Sequence, residues 1–212
     1  MPNIQLLDHI LVGFKDRFFA YQPIWKETDF PEIIPTYLKS VSSSFENSNR
    51  RNLFLQSRLM IHEMLDSILG IPNDLLIQKD QWDKPFGIVD QKLIHLSISH
   101  TREAVFVIID LNKRVGLDAE RIDRKIPANL RARILHPNES QDDQFESIET
   151  IFIWVVKESI LKLLGSGLRL SMSSISLISN STHCFQSTID GKAIQTNVIT
   201  FKNHYIAISE YI

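Results

Sequence analysis

The stretch Ile151-Phe152-Ile153-Trp154-Val155-Val156-Lys157-Glu158-Ser159-Ile160-Leu161-Lys162-Leu163-Leu164-Gly165-Ser166-Gly167-Leu168 is apolar around a whole helical circumference except at three charged positions and one serine before its glycines. Its pattern predicts a helix over residues 145–164 that stops at Gly165. A helix with no polar face is normally buried between other elements. Lys157, Glu158 and Lys162 interrupt it, and a charge on a buried helix has to be paired or to bind an ion. Glu158 and Lys162 are four residues apart and share a face, so an ordinary ion pair between them is one way to satisfy both. The flanking apolar runs leave that face little water, which favours a partner supplied by another element.

Upstream, residues 93–98 and 104–111 read as strands, the second buried. Asn112-Lys113-Arg114 reads as a polar turn and residues 115–120 as a third strand. Pro127 opens a short helix predicted through residue 135. After Ser171 come β-branched runs at 175–179, 182–189, 193–201 and 205–212, with Asp190-Gly191 as a hairpin turn. Earlier in the chain, Leu55, Leu59, Ile61, Met64, Leu65 and Ile68 recur at helical spacing until Gly70 and Pro72. Residues 82–87 read as a loop, as does the serine-rich stretch 40–44; Pro23, Pro31 and Pro35 punctuate the first 48 residues. The class is α+β, in two halves of similar size, 1–111 and 112–212.

With 212 residues, 43% of them hydrophobic and 23% charged, the composition is that of a globular protein, and a net charge of −2 gives no electrostatic footprint for nucleic acid. Cys184 is the lone cysteine, which excludes an internal disulfide and a cysteine-based zinc cluster. The N-terminus has no basic start and carries Asp8, unlike a secretory signal. The apolar runs 104–109 and 151–156 are far shorter than the ~20 residues that span a bilayer, so the expected location is the cytoplasm. Gly-x-Ser-x-Gly, Walker A and Rossmann fingerprints are absent.

Two further clusters carry chemistry. In Val115-Gly116-Leu117-Asp118-Ala119-Glu120, strand alternation puts Asp118 and Glu120 on one face. Taken alone, that pair reads most simply as a solvated strand end; near a buried helix bearing Glu158, it reads as oxygen ligands for a hard divalent cation. In Ser97-Ile98-Ser99-His100-Thr101, hydroxyls and an imidazole close a strand, which suits either a phosphate or a turn satisfying its own backbone.

Taken together, these segments resemble the phosphopantetheinyl transferase superfamily. The matching pieces, in the family's order, are Trp82-Asp83-Lys84-Pro85, residues 96–100, residues 115–120 and residues 154–168, with a fainter match at Ser57-Arg58-Leu59. The length and the extra N-terminal half resemble the long surfactin-type branch, whose single chain is a pseudo-dimer. The resemblance implies two similar subdomains related by a pseudo-twofold axis, each an antiparallel sheet packed with a long helix, in a monomer that neither binds nucleic acid nor inserts in a membrane. It implies transfer of the 4'-phosphopantetheine arm of coenzyme A to a serine of an apo acyl or peptidyl carrier protein, as in fatty-acid, polyketide or nonribosomal-peptide synthesis, with release of adenosine 3',5'-bisphosphate.

By the same resemblance, Asp118, Glu120 and Glu158 hold Mg²⁺ or Mn²⁺, and Glu158 and Lys162 are catalytic. The coenzyme is gripped by Lys84, Pro85, Ser99, His100, Lys157, Lys162 and an arginine drawn from Arg50, Arg51 and Arg58. Lys113, Arg114, Arg121, Arg124, Lys125, Arg131 and Arg133 form a basic stretch suited to an acidic carrier. Asp83 stands where the family has Gly, and Ser97 where Asn is common. A non-catalytic relative that binds coenzyme A or a carrier protein, and a Mg²⁺-dependent phosphohydrolase, are the competing readings.

Overall fold

The computed structural model describes residues 5–6, 16–32, 34–70 and 76–212; Asp8 and Pro72 lie outside them. The strands are β1 (Gln5–Leu6), β2 (Arg17–Pro23), β3 (Leu76–Lys79), β4 (Pro85–Val89), β5 (Lys92–His100), β6 (Ala104–Asp110), β7 (Val115–Arg121), β8 (Ile178–Ser181), β9 (Cys184–Ile189), β10 (Lys192–Phe201) and β11 (His204–Tyr211). The helices are α1 (Thr36–Ser43), α2 (Ser48–Leu69), α3 (Leu130–Ile134), α4 (Asp143–Glu146) and α5 (Thr150–Leu164). One sheet runs β1-β2-β6-β5-β4-β3 and the other β7-β11-β10-β9-β8, with antiparallel pairing throughout.

Leaving out the edge strand β1, the second order is the first moved on by five strands. In each sheet the opening strand lies beside the closing one, and a long helix separates it from a four-strand meander. The α+β class and the repeated sheet-and-helix plan are thus as the sequence implies.

The layers follow from which residues alternate inward. Ala20, Leu96, Val105 and Val107 of the first sheet pack under Met60, Ile61, Met64 and Leu65 of α2. Phe19, Tyr21, Phe106 and Ile108, on that sheet's other face, meet Val115, Leu117, Ala119, Ile206 and Ile208 of the second. Ile194, Val198 and Ala207 then face α5. The sheets are therefore the two inner layers and the helices the outer ones. Because β7 and β6 are interior to this stack, their apolar faces are buried nearly completely.

Several boundaries differ from the sequence reading. Residues 40–43 are helical, because the hydroxyls of Ser42, Ser43 and Ser44 bond back to the carbonyls of Lys39, Ser40 and Val41. Pro85–Val89 is a strand, with Pro85 at its first position, where a missing N–H is tolerated. The helix read over 145–164 is broken into α4 and α5, and Arg131 takes the carbonyls of Phe145 and Ile148 that the break leaves open. Ile175, placed in a strand by its neighbours, is instead buried in the turn before β8. The Asp190-Gly191 hairpin is as expected, with both residues at positive φ, 51° and 72°.

Candidate active site

The site lies where β7 meets α5 along the seam with β5. Gly116, Asp118 and Glu120 are on the face of β7 opposite Leu117 and Ala119. Gly116 lets α5 in: a Cβ there would lie 2.0 Å from the Ser159 carbonyl oxygen and 2.5 Å from the Leu163 nitrogen. That approach sets Asp118 beside Lys162, whose Nζ is 2.7 Å from Asp118 Oδ1 and 3.1 Å from the Ile98 carbonyl. Lys162 thus pairs with the strand aspartate, and the ion pair that sequence spacing allowed between Glu158 and Lys162 is not the one formed.

β7 is an edge strand, and an edge needs partners for its N–H groups. Serines of β5 supply them: Leu117 N donates to Ser97 Oγ (2.9 Å) and Ala119 N to Ser99 Oγ (3.1 Å). Ser99 Oγ in turn donates to Asp118 Oδ1 at 2.8 Å. The hydroxyl of Ser99, expected to grip the coenzyme, is thus engaged by the seam and by the aspartate in this structure. Ser97, which stands where Asn is common, does the equivalent work one pleat earlier.

Burial and mutual repulsion dominate the acids. Glu120 is pushed up to about 7 by burial first and Asp118 second, with Arg124 and Lys162 opposing. Glu158 is raised by burial and then by Asp118. Asp118 Oδ2 and Glu158 Oε2 are buried without a hydrogen-bond partner. Among the described residues no three His, Cys, Asp or Glu side chains are gathered as a metal-binding group. The chain's own cations lie on the acids instead, Lys162 on Asp118 and Arg124 on Glu120. The orphaned oxygens and the all-oxygen donor set nonetheless fit a hard divalent cation.

Lys162 also lines a cleft of about 500 Å³ built from both halves, with Arg50, Arg58, Lys84, Pro85 and His100 among its other walls. The Arg58 guanidinium lies 5.0 Å from the Phe54 ring centroid, with the Ser57 hydroxyl at 3.5 Å. Among the described residues no carboxylate acts on it, and burial lowers it to about 10. Enclosure and then the Lys162 charge hold the His100 imidazole below its usual value.

Trp82, at the rim, carries the Arg169 guanidinium 4.9 Å from its ring centroid. Asp83 has φ 66°, the left-handed conformation that the glycine it replaces would take freely and that Asp tolerates. Asp80 holds this turn, accepting from Trp82 N (2.8 Å) and Lys84 N (3.0 Å). Residue 80 carried no signal in the sequence reading.

Three other residues expected to contact the coenzyme are engaged by groups of the fold. Lys157 is fully buried, its ammonium saturated by Glu139 Oε2 (2.6 Å) and the carbonyls of Ile134, Met172 and Ile175. Arg51 does not line the cleft; its Nη2 donates to the Phe45 carbonyl at 2.9 Å. Lys84 does line it, but its Nζ caps carbonyls of Val115 and Lys162, and burial, followed by Arg114, lowers it to about 7. The basic stretch is also largely spent within the fold: Arg114 on Asp80 and the Leu164 carbonyl, Arg121 on Asp123 and Glu103, Arg131 on carbonyls.

Residues 114–211 match the family model of the 4'-phosphopantetheinyl transferase superfamily. The 4'-phosphopantetheinyl transferase gsp of Aneurinibacillus migulanus is 34% identical over 134 residues, which cover 60% of this chain and 54% of that protein. The chain thus spans about half the length of the curated relative it matches. Asp118, Glu120, Glu158 and Lys162 all lie within the residues that match that family model.

Proposed function

We propose that the protein transfers 4'-phosphopantetheine from coenzyme A to a serine hydroxyl of an apo carrier protein, acting in the cytoplasm as a monomer of the long, pseudo-dimeric branch, with subdomains 1–111 and 112–212. The observation that supports it most is that Lys162, bonded to Asp118, lines a cleft built from both halves, with Glu120 on the wall of a second cavity that shares His100 with it. In-line displacement at a phosphoryl centre asks the protein mainly for positioning and for charge compensation. Arg58 and His100 line the cleft as anchors for the nucleotide phosphates. Lys162, held by Asp118 and the Ile98 carbonyl in the cleft wall, would offer the pyrophosphate an ammonium or a proton.

Asp118, Glu120 and Glu158 would hold Mg²⁺, which when bound would absorb charge on the pyrophosphate. Glu158, half-buried and raised by its surroundings, would take the proton of the acceptor serine.

Mass spectrometry of an apo carrier incubated with the enzyme, coenzyme A and Mg²⁺ tests this reading. The expected result is one phosphopantetheine added per carrier, abolished by EDTA and by Glu158→Gln. An unmodified carrier would refute the transfer, and coenzyme A consumed without carrier modification would indicate a phosphohydrolase.

A further inference from the structure

Arg124 follows β7 in the turn that leaves the acid face. Its guanidinium donates to Glu120 Oε1 and lies 5.7 Å from the Trp154 ring centroid. Trp154 is one helical turn before Glu158 on α5, so Arg124 lies over the surface that carries Glu158, and its charge acts on both glutamates. Of the three acids, Asp118 is paired with Lys162 and Glu120 with Arg124, while Asp118 and Glu158 each keep one buried oxygen without a hydrogen-bond partner. The two matching cations differ in how they are held. The Lys162 ammonium is also bonded to the Ile98 carbonyl, and its side chain is 25% exposed. Arg124 comes from an exposed turn, its side chain is 43% exposed, and Glu120 is its one ion-pair partner among the described residues.

We propose that Arg124 is a resident counter-ion of the acid cluster, which a divalent cation displaces from Glu120. A guanidinium and a divalent ion on one carboxylate repel each other, which favours release of the more exposed and more weakly held of the two. The exposed turn gives Arg124 somewhere to go. It already borders a second cavity of about 940 Å³, whose rim includes the exposed Arg102 and Lys125. Cation loading therefore frees one positive charge at that rim, on the side of the acids where Glu120 opens to solvent. The exchange also sets the affinity of the cluster, because the cation has to compete with a charge the chain supplies itself. This inference rests on the acids being a cation site, as proposed above.

The test is Mn²⁺ binding to the full chain without coenzyme A, followed by the loss of the free-ion electron paramagnetic resonance signal. Arg124→Gln is expected to bind roughly tenfold more tightly than wild type, as expected for losing a competitor worth ~1.4 kcal/mol. Arg124→Lys, which keeps a competing charge, should stay near wild type. In parallel, Mg²⁺ should change the fluorescence of the wild type as the guanidinium leaves the Trp154 ring. It should change that of Arg124→Gln much less. Equal or weaker Mn²⁺ binding by Arg124→Gln would overturn the counter-ion role and leave the cation site standing. No binding by either form would remove the site and this inference with it.

Discussion

Gly116→Ala asks how closely the site depends on one missing methyl group. The added Cβ would sit 2.0 Å from Ser159 O, 2.5 Å from Leu163 N and 2.9 Å from Leu163 Cα, all backbone atoms that cannot rotate away. Ordinary contact begins at 3.4 Å, so α5 must withdraw by about 1.4 Å at this point. Overpacking of this kind costs ~1–3 kcal/mol, which for a chain of this size lowers Tm by roughly 2–12 °C. The larger effect falls on chemistry. The same withdrawal moves Glu158 and Lys162 away from Asp118 and Glu120, and a ~1 Å misplacement costs on the order of 100-fold in rate. The assay is carrier phosphopantetheinylation measured beside thermal unfolding. Gly191→Ala is the control: its Cβ would meet nothing within 4 Å, so only its positive φ is strained. If Gly116→Ala kept wild-type turnover, the close approach of strand and helix would not be what assembles the site.

Lys157→Met should lower stability by ~3–5 kcal/mol by leaving Glu139 buried and unpaired, seen as a drop in Tm, while the KM for coenzyme A of the folded protein stays unchanged. Lys84, lowered to about 7 in the fold and ~10.4 when unfolded, binds its proton more weakly in the native state. Stability should therefore rise with pH from about 7 to ~10.4, and Lys84→Met should flatten that rise in urea titrations; an unaltered slope would refute the assignment. His100→Ala should narrow the preference for coenzyme A over dephospho-coenzyme A, and an unchanged preference would give His100 a structural role.

The elements that follow period were legible. Strand alternation in residues 115–120 separates the acids from Leu117 and Ala119, and the structure keeps that separation. The apolar circumference of α5 correctly marks it as buried. What escaped were partners brought in from far along the chain. Lys157 and Lys162 look alike in sequence, both being lysines on the same apolar helix. One is buried against Glu139 and three carbonyls, while the other reaches Asp118. Periodicity gives the face of a side chain but not what another element sets against it. For the same reason, the sequence did not show that the Ser99 hydroxyl closes a strand edge or that Arg131 holds the carbonyls between α4 and α5.

The repeated topology shows why the acids belong to one half. β2 and β7 each open a half and pair with its last strand, and each turns alternate residues to its own long helix. In β2, Phe19 and Tyr21 face the other sheet, so the row toward α2 is Phe18, Ala20 and Gln22. In β7 the equivalent row is Gly116, Asp118 and Glu120. The first row is neutral, and Gln56 of α2 seals its end by accepting from Trp25 N and donating to the Pro23 carbonyl. The second carries two acids against a third on α5, which a buried layer tolerates only beside compensating cations. Those cations are Lys162 and Arg124, both contributed by the C-terminal half. The N-terminal half contributes what the acids do not: the β5 hydroxyls that fix β7 in place, and Arg58 and His100 on the cleft wall. The acids come from β7 and α5 and much of the cleft wall from residues before them, and Ser99 and Lys162 on Asp118 join the two along the seam between β5 and β7.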